Sequence, residues 1–243
     1  MKYVLILGAK SDIAKAIARV YAEEGYNLCL AGRNIGELET FAKDLEIRFG
    51  IETRLFEFDA TAFELHHAFY QALEPKPYGV VYSAGYMTDQ KICEQDWKEA
   101  MNTMVVNYVG AVSILNIIAQ DFEKRGYGFI IGISSVAGDR GRASNYIYGS
   151  AKAGFSAYLS GLRGRLHRAG VQVITVKPGF VKTKMTRGMK LPPLLTALPE
   201  EVAREVIKAQ KKGIDMVYVR GVWKYIMFVV KHLPEFIFKR LNF

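Results

Sequence analysis

Val4-Leu5-Ile6-Leu7-Gly8-Ala9-Lys10-Ser11-Asp12-Ile13-Ala14 runs from a short apolar segment through one glycine into a helical pattern. The residues before Gly8 read as a buried strand, and those after Ser11 carry the 3.6-residue periodicity of a helix. Such a turn leaves the free N–H groups and positive dipole end of the helix at the edge of the sheet, the physical basis for holding a pyrophosphate. Gly8 permits the tight turn. Asp12 and Ala14 stand where a dinucleotide-binding turn usually has its second and third glycines. Ala14 still allows fairly close packing. Asp12 brings a negative charge beside the expected phosphate, so it is expected to turn away and cap its own helix, with Lys10 offsetting its charge.

Outward from this turn, short β-branched runs alternate with longer helical stretches. Residues 3–7, 27–31, 53–58, 79–83, 127–134, 171–177 and 215–219 read as strands, and 12–24, 35–49, 62–73, 94–125, 145–169 and 200–211 as helices. Alternation of this kind implies a parallel sheet covered on both faces by right-handed crossovers. The expected fold is α/β, a Rossmann-like doubly wound sheet of about seven strands in three layers. No repeat, low-complexity tract or Pro/Gly linker divides the chain, so residues 1–243 form one expected domain. The apolar start Tyr3–Leu7 is too short for a signal peptide and reads as the first strand. Glycines 149, 154, 161 and 164 crowd the helical stretch from 145; a cofactor, a neighbouring helix or a second subunit approaching closely would account for them.

The strand ends supply the remaining cofactor contacts. Leu30-Ala31-Gly32-Arg33-Asn34 offers no carboxylate for a ribose and one arginine suited to a 2′-phosphate, which favours NADP(H) over NAD(H). Asp59, followed by Ala60 and Thr61, is placed to accept from an adenine amino group or to serve its own turn. Ser83-Ala84-Gly85 is small enough to let the chain pass a ribose closely, and ordinary turn chemistry also explains it.

Tyr148 and Lys152 lie one helical turn apart in Tyr148-Gly149-Ser150-Ala151-Lys152, with Ser135 thirteen residues before the tyrosine. Positions i and i+4 share a helix face. A phenol with a pKa near 10 is a poor acid–base catalyst at neutral pH, and a neighbouring cation favours its ionised form. A drop of about three units needs roughly 4 kcal/mol of differential stabilisation, which Lys152 with a cationic nicotinamide is expected to supply. With the glycine turn, this constellation implies nucleotide-dependent redox chemistry on a carbonyl.

Half of the 243 residues are hydrophobic, which excludes a disordered or fibrous chain. Cys29 sits in an apolar run as a small buried hydrophobe, and with Cys93 forms no disulfide framework or metal spacing; this fits a reducing, cytoplasmic setting with no metal. The net charge of +9 is concentrated after residue 180, where thirteen Lys or Arg face five Asp or Glu. An anionic substrate, an anionic lipid or a solvated surface would each account for it. No groove-reading motif accompanies the charge, so nucleic acid is not an expected partner.

The sequence resembles the short-chain dehydrogenase/reductase family over essentially its whole length. The matching residues are Gly8 through Ala14, Asp59, Ser83-Ala84-Gly85, Asn107, Ile133-Ser134-Ser135, Tyr148-x3-Lys152 and Pro178-Gly179-Phe180-Val181-Lys182-Thr183. The resemblance implies that Ser135 binds the carbonyl, Tyr148 is the catalytic phenol and Lys152 its partner. Asn107 would hold a water that relays protons to Lys152. It further implies cofactor contacts from Gly8, Lys10, Ser11, Asp12, Ile13, Arg33, Asp59, Ala60, Ser83, Ala84, Gly85, Asn107, Tyr148 and Lys152. Pro178, Gly179 and Val181 would border the nicotinamide, and Thr183 would bind its carboxamide or the phosphates. A homodimer or homotetramer through helices near 108–125 and 145–169 is also implied.

Three stretches narrow the likeness: Gly8 to Ala14, Arg140 to Tyr146, and the tail around Trp223–Met227 and His232–Lys239. They look like the reductase subunits of decaprenylphosphoryl-ribose 2′-epimerases. These reduce a lipid-linked 2-keto pentofuranose, for cell-wall biosynthesis, after a partner flavin oxidase has acted. The resemblance to the short-chain family implies that residues 184–200 are a substrate lid. Arg187, Lys190, Arg140 and Arg142 are candidate contacts for a substrate phosphate. Residues 221–243 form an apolar, basic extension with Trp223, Tyr225, Phe228, Phe236, Phe238 and Phe243. Its apolar run is too short to span a bilayer. It suits either peripheral contact with the inner face of the cell membrane or packing against protein.

Overall fold

In the computed structural model, which describes residues 2–241, the alternation resolves into one parallel sheet. Its strands are β1 (Tyr3–Leu7), β2 (Asn27–Gly32), β3 (Thr53–Glu57), β4 (Gly79–Tyr82), β5 (Phe129–Ile133), β6 (Gln172–Lys177) and β9 (Met216–Tyr218). They lie in the order β3-β2-β1-β4-β5-β6-β9. The order in which the chain adds strands reverses between β1 and β4, every pair staying parallel, and a crevice opens outside the carboxyl ends at such a switch point. Phe243, counted above among the tail aromatics, lies outside the described residues.

Period-two alternation divides the core into two layers. Val4 and Ile6 of β1 face one layer with α1 (Asp12–Glu23) and α8 (Pro199–Lys212), where Ile17, Tyr21, Val202 and Val206 are buried. Tyr3, Leu5 and Leu7 face the other, against α6 (Gly110–Arg125) and α7 (Tyr146–Leu166), with Ile118, Phe122, Phe155 and Leu159. Burial of each such large side chain contributes about 1.5–3 kcal/mol, so a strand apolar on both faces has one stable position, between two helical layers. Cys29 is fully buried and its thiol is pushed up to about 12 by burial, as expected of a small core hydrophobe.

The helices α2 (Glu39–Phe49), α3 (His66–Gln71), α4 (Gln90–Gln95) and α5 (Trp97–Met104) complete the crossovers. The single helix expected over 94–125 is interrupted. Asp96 caps α5 by accepting from the Lys98 N–H at 2.8 Å, and a π-helical turn, Val105–Val109, carries Asn107. The stretch Trp97–Arg125 is long and apolar enough to cross a membrane by length and composition. Its residues Ile114, Ile118 and Phe122 are spent on the core instead.

The glycines of α7 divide by purpose. A Cβ at Gly149 would lie 2.9 Å from the Ala137 carbonyl oxygen and one at Gly154 would touch the Tyr108 ring, whereas Gly161 and Gly164 face open space. Two short strands absent from the sequence reading, β7 (Phe180–Val181) and β8 (Thr196–Ala197), pair in parallel and clasp both ends of the expected lid. The tail folds into α9 (Val222–His232) and α10 (Glu235–Phe238). Trp223 and Met227 pack with Val136, while Tyr225, Phe228 and Phe236 stay exposed.

Candidate active site

A cleft of about 740 Å³ opens at the β1/β4 switch point, within the range usual for small-molecule sites. Its walls include Gly8, Lys10, Ser11, Asp12 and Ile13 from the first turn, and Arg33, Asp59 and Ala60 from the ends of β2 and β3. Ser83, Ala84 and Gly85 follow β4, Ser135 follows β5, and Tyr148 and Lys152 come from α7. Pro178, Gly179, Val181 and Thr183 close the far side. Every catalytic or cofactor candidate read from the sequence therefore reaches one cleft except Asn107.

Asn107 is fully buried one layer behind the wall. Its amide donates to the carbonyls of Tyr86 and Thr103 and accepts weakly, at 3.4 Å, from the Tyr86 N–H. A Cβ on Gly85 would lie 3.3 Å from the Asn107 Oδ1 and 3.9 Å from the Lys152 Nζ. The π-turn thus aims Asn107 at the strand end that carries Gly85, where it fixes the wall.

The first turn fits a dinucleotide by its shape. Gly8 has φ +82°, and a Cβ there would fall 2.4 Å from the backbone nitrogen of Ala84; only glycine allows β1 and the β4 end to approach so closely. Ser11, not Asp12, caps α1, accepting from the Ala14 N–H at 3.0 Å. Asp12 instead accepts from the backbone N–H of Lys184 at 2.7 Å, fastening the base of the lid to the start of α1. Lys10 does not offset it, being paired with Glu37 at 2.7 Å. The sequence could not reveal the Asp12 contact, because its partner is 172 residues away.

At the β2 end Arg33 is exposed, and no protein hydrogen bond or ion pair of its guanidinium is found among the described residues. Asp59 uses one carboxylate oxygen on its own turn, accepting from the Thr61 N–H and hydroxyl at 2.9 Å each. Burial works against its charge, but those bonds and Arg33 hold it below the usual carboxylate range.

Tyr148 and Lys152 depart from the expected electrostatics. Burial pushes the Tyr148 phenol up to about 12, partly opposed by a hydrogen bond with Ser135, and pushes the Lys152 ammonium down to about 7. The Lys152 Nζ lies 5.7 Å from the centre of the Tyr148 ring and donates to the Ile133 carbonyl at 3.0 Å. A lysine that is itself half discharged at neutral pH supplies little field to a phenol. Ser135 is held by accepting from the Ala137 N–H at 3.1 Å. Ser134 turns inward to Ser156 at 2.7 Å, which leaves Ser135 as the serine that faces Tyr148. Tyr146 lies outside the cleft, donating to Glu94 at 3.1 Å.

The buried lysine makes stability depend on pH with a definite sign. Its pKa falls from 10.5 unfolded to about 7 folded, so between those values the unfolded chain binds more protons and stability rises with pH. The cost of burying Lys152 is full below pH 7 and gone above 10.5. Relative to the cofactor-free wild type, Lys152→Met should therefore be most stable near pH 7. Its advantage should shrink toward pH 10 at up to about 1.4 kcal/mol per pH unit. Parallel stability curves, measured by urea unfolding across that range, would rule out the shifted lysine.

The expected lid brings Met185 and Met189 to the cleft, while Trp223, Tyr86, Met87 and Val136 line it without having been read as its walls. Trp223 of α9 lies across Gly179, whose Cβ would fall 2.0 Å from the indole ring, and donates to the Leu195 carbonyl at 3.1 Å. Tyr86, Met87, Val136, Met185 and Met189 add an apolar surface. Of the basic candidates, Arg142 lines the cleft, while Arg187 and Lys190 are exposed beyond its walls. Arg140 is spent on the tail, donating to the carbonyls of Val230 and Leu233 at 2.6 Å and stacking on Phe238 at 3.7 Å.

Known proteins share both this architecture and the sequence behind it. The chain is 35% identical over 241 residues to an uncharacterised oxidoreductase of Mycobacterium tuberculosis, covering 98% of this chain and 96% of that protein. It is 34% identical over 250 residues to an uncharacterised oxidoreductase of Streptomyces coelicolor, covering 98% and 95%. Among solved structures, a short-chain dehydrogenase from Sphingobium yanoikuyae in complex with NADPH superposes with a TM-score of 0.84 at 20% identity, covering 97% of each chain. Residues 2–192 match the family model described as short chain dehydrogenase. A glycine turn at a switch point, a Ser-Tyr-Lys cluster at its mouth and a match across most of the sequence lead to one assignment: the chain belongs to the short-chain dehydrogenase family of NAD(P)-dependent oxidoreductases.

Proposed function

We propose that this protein is an NADPH-dependent reductase of the 2-keto group of a pentofuranose linked through phosphate to a polyprenyl chain. The observation that carries the reduction is the meeting of Ser135, Tyr148 and Lys152 in one cleft whose other end holds Arg33. Gly8 and the start of α1 would cradle the pyrophosphate, and Arg33 the 2′-phosphate. The bound cofactor would supply the hydride. Ser135 and Tyr148 would hydrogen-bond the carbonyl oxygen, and Tyr148 would give its proton to the developing alkoxide. A phenol pushed up to about 12 keeps that proton at neutral pH, which suits an acid in the reducing direction. Lys152, one turn away, would support the phenolate left behind.

The apolar wall formed by Tyr86, Met185, Met189 and Trp223 supports an apolar flank on the substrate. Exposed Tyr225, Phe228 and Phe236 beside Lys224, Lys231 and Lys239 suit peripheral contact with an anionic membrane face from the cytoplasm. Open space at Gly161 and Gly164 leaves room on α7 for a second copy, in keeping with a homodimer or homotetramer. A flavin oxidase that makes the ketone would be the functional partner.

NADPH oxidation tests the reading, with the polyprenyl-phosphoryl 2-keto-pentose set beside fatty acyl ketones, steroid ketones and free keto sugars. Turnover of another ketone without the lipid-linked sugar would replace the substrate; turnover of none would overturn the reductase. Cofactor choice has its own check. Arg33→Ala should cut the preference for NADPH over NADH by about 10- to 100-fold, since a charge-assisted bidentate contact is lost. An unchanged ratio of kcat/KM values would remove Arg33 from the phosphate site.

A further inference from the structure

Two opposite charges lie behind the reacting end of the cleft and form none of its wall. The side chains of Asp139 and Lys177 are only 2% and 9% exposed, and they meet at 2.5 Å. The Tyr218 hydroxyl donates to the other Asp139 oxygen at 2.7 Å. Burial, and then this bond, push the Tyr218 phenol well above its ordinary range, so it stays a donor. Tyr218 also packs against the apolar cluster of Val136, Trp223 and Met227. The attraction within an ion pair withdrawn from water roughly offsets its lost hydration, and apolar side chains of similar volume often stabilise a fold as well. Stability alone is a poor reason for this trio.

Their placement supplies another. Ser135 and Asp139 stand at the two ends of a 3₁₀ turn, Val136–Gly138. Within it the Ser135 carbonyl accepts from the Gly138 N–H, and the Val136 carbonyl from the Asp139 N–H, each at 3.1 Å. Lys177 is the last residue of β6, so it sets where Pro178 begins. The Pro178 carbonyl accepts from the Val136 N–H at 3.0 Å and lies 3.5 Å from the Ser135 hydroxyl. Tyr218 ends β9 in register with Lys177. A closed ring results: Ser135, the turn, Asp139, Lys177, Pro178 and back to the start of the turn. Hydrogen bonds fasten it on the cleft side and opposite charges on the far side.

We propose, on the reductase reading above, that Asp139 and Lys177, braced by Tyr218, are positioning residues that hold Ser135 in register with the Pro178–Gly179 edge of the cleft. They act through Ser135 and touch neither ketone nor cofactor. A carboxylate–ammonium contact fixes distance and direction together, whereas apolar packing would let the strand end slide along the turn. Misplacing a group by about 1 Å at a reacting centre costs roughly 100-fold in rate.

The test replaces all three polar groups at once, in Lys177→Met/Asp139→Leu/Tyr218→Phe, so that none is left buried and unmet. Its melting temperature should be no lower than that of the wild type by more than a few degrees. With NADPH and the lipid-linked 2-keto-pentose, or whichever ketone of the panel above turns over, kcat should fall about 10- to 100-fold. The KM for that ketone should stay within about threefold. Lys177→Arg, which keeps the pair, should hold kcat within about threefold. In a Ser135→Ala background the triple change should cost no more than about threefold further, because the hydroxyl to be positioned is gone. Wild-type kcat in the triple variant, or equal losses in both backgrounds, overturns the proposal. Asp139→Asn, which removes the charge and keeps the shape, stands in if the triple variant fails to fold.

Amide hydrogen exchange on the cofactor-free protein judges the pair without turnover. The Val136 N–H should exchange at least about tenfold faster in the variant, with the interior amides of β6 unchanged. Equal exchange at Val136 overturns the positioning role. Absence of any ketone turnover by the wild type would instead refute the reductase and leave the exchange result to decide whether the pair holds the turn.

Discussion

Tyr148→Phe is expected to lower kcat for ketone reduction by about 10²- to 10⁴-fold, the usual contribution of a positioned general acid, with NADPH affinity nearly unchanged. The substitution removes one oxygen from the mouth of the cleft and keeps the ring between α7 and the wall. The lost oxygen is the one that Ser135 faces and that burial keeps protonated. A neighbouring phenol provides the control. Tyr146 is 45% exposed and bonds Glu94 outside the cleft, so Tyr146→Phe should leave turnover within about twofold. Steady-state kinetics with matched NADPH titrations separate the two. If Tyr148→Phe kept more than a tenth of wild-type kcat, proton donation would have to come from elsewhere.

Gly8→Ala should have the largest structural effect of any single methyl group added to the chain's cofactor turn. The new Cβ would sit 2.4 Å from the Ala84 nitrogen and 2.6 Å from its Cα, in a backbone with φ +82°. Neither obstacle is a side chain that can rotate away. A left-handed conformation costs a non-glycine residue roughly 1–2 kcal/mol, and overpacking typically 1–3 kcal/mol more. For a domain of this size the sum corresponds to a melting temperature lower by at least about 4 °C. Any relief must move β1 away from the β4 end, which widens the turn proposed to cradle the pyrophosphate and should weaken NADPH binding about tenfold or more. Thermal unfolding with and without NADPH reads both effects. An unchanged melting temperature together with an unchanged NADPH-induced shift would show that the two strand ends do not meet as described.

The elements legible in the sequence were those whose cause is local. The buried runs of β1, β2 and β4 lie within a residue of their expected bounds, because a strand covered on both faces must be apolar throughout. Helical periodicity found α1, α7 and α8 for the same kind of reason. It overran at 94–125, where Asp96 can cap a helix inside an otherwise helical pattern and the π-turn leaves no mark in composition. The strands β7 and β8 were missed because two residues each carry no period.

The meeting of the first turn, the strand-end residues and the Ser135, Tyr148 and Lys152 cluster in one cleft was determined by the sequence alone, since close spacing and strand order bring them together in any doubly wound sheet. Tertiary structure decided what each charge does. Asp12 holds Lys184 across the cleft, Arg140 anchors the tail while Arg142 enters the site, and Trp223 covers Gly179. It also reversed the expected effect on Tyr148. One helical turn sets how near an ammonium lies to a phenol, but burial decides whether that ammonium keeps its charge, and burial belongs to the folded chain.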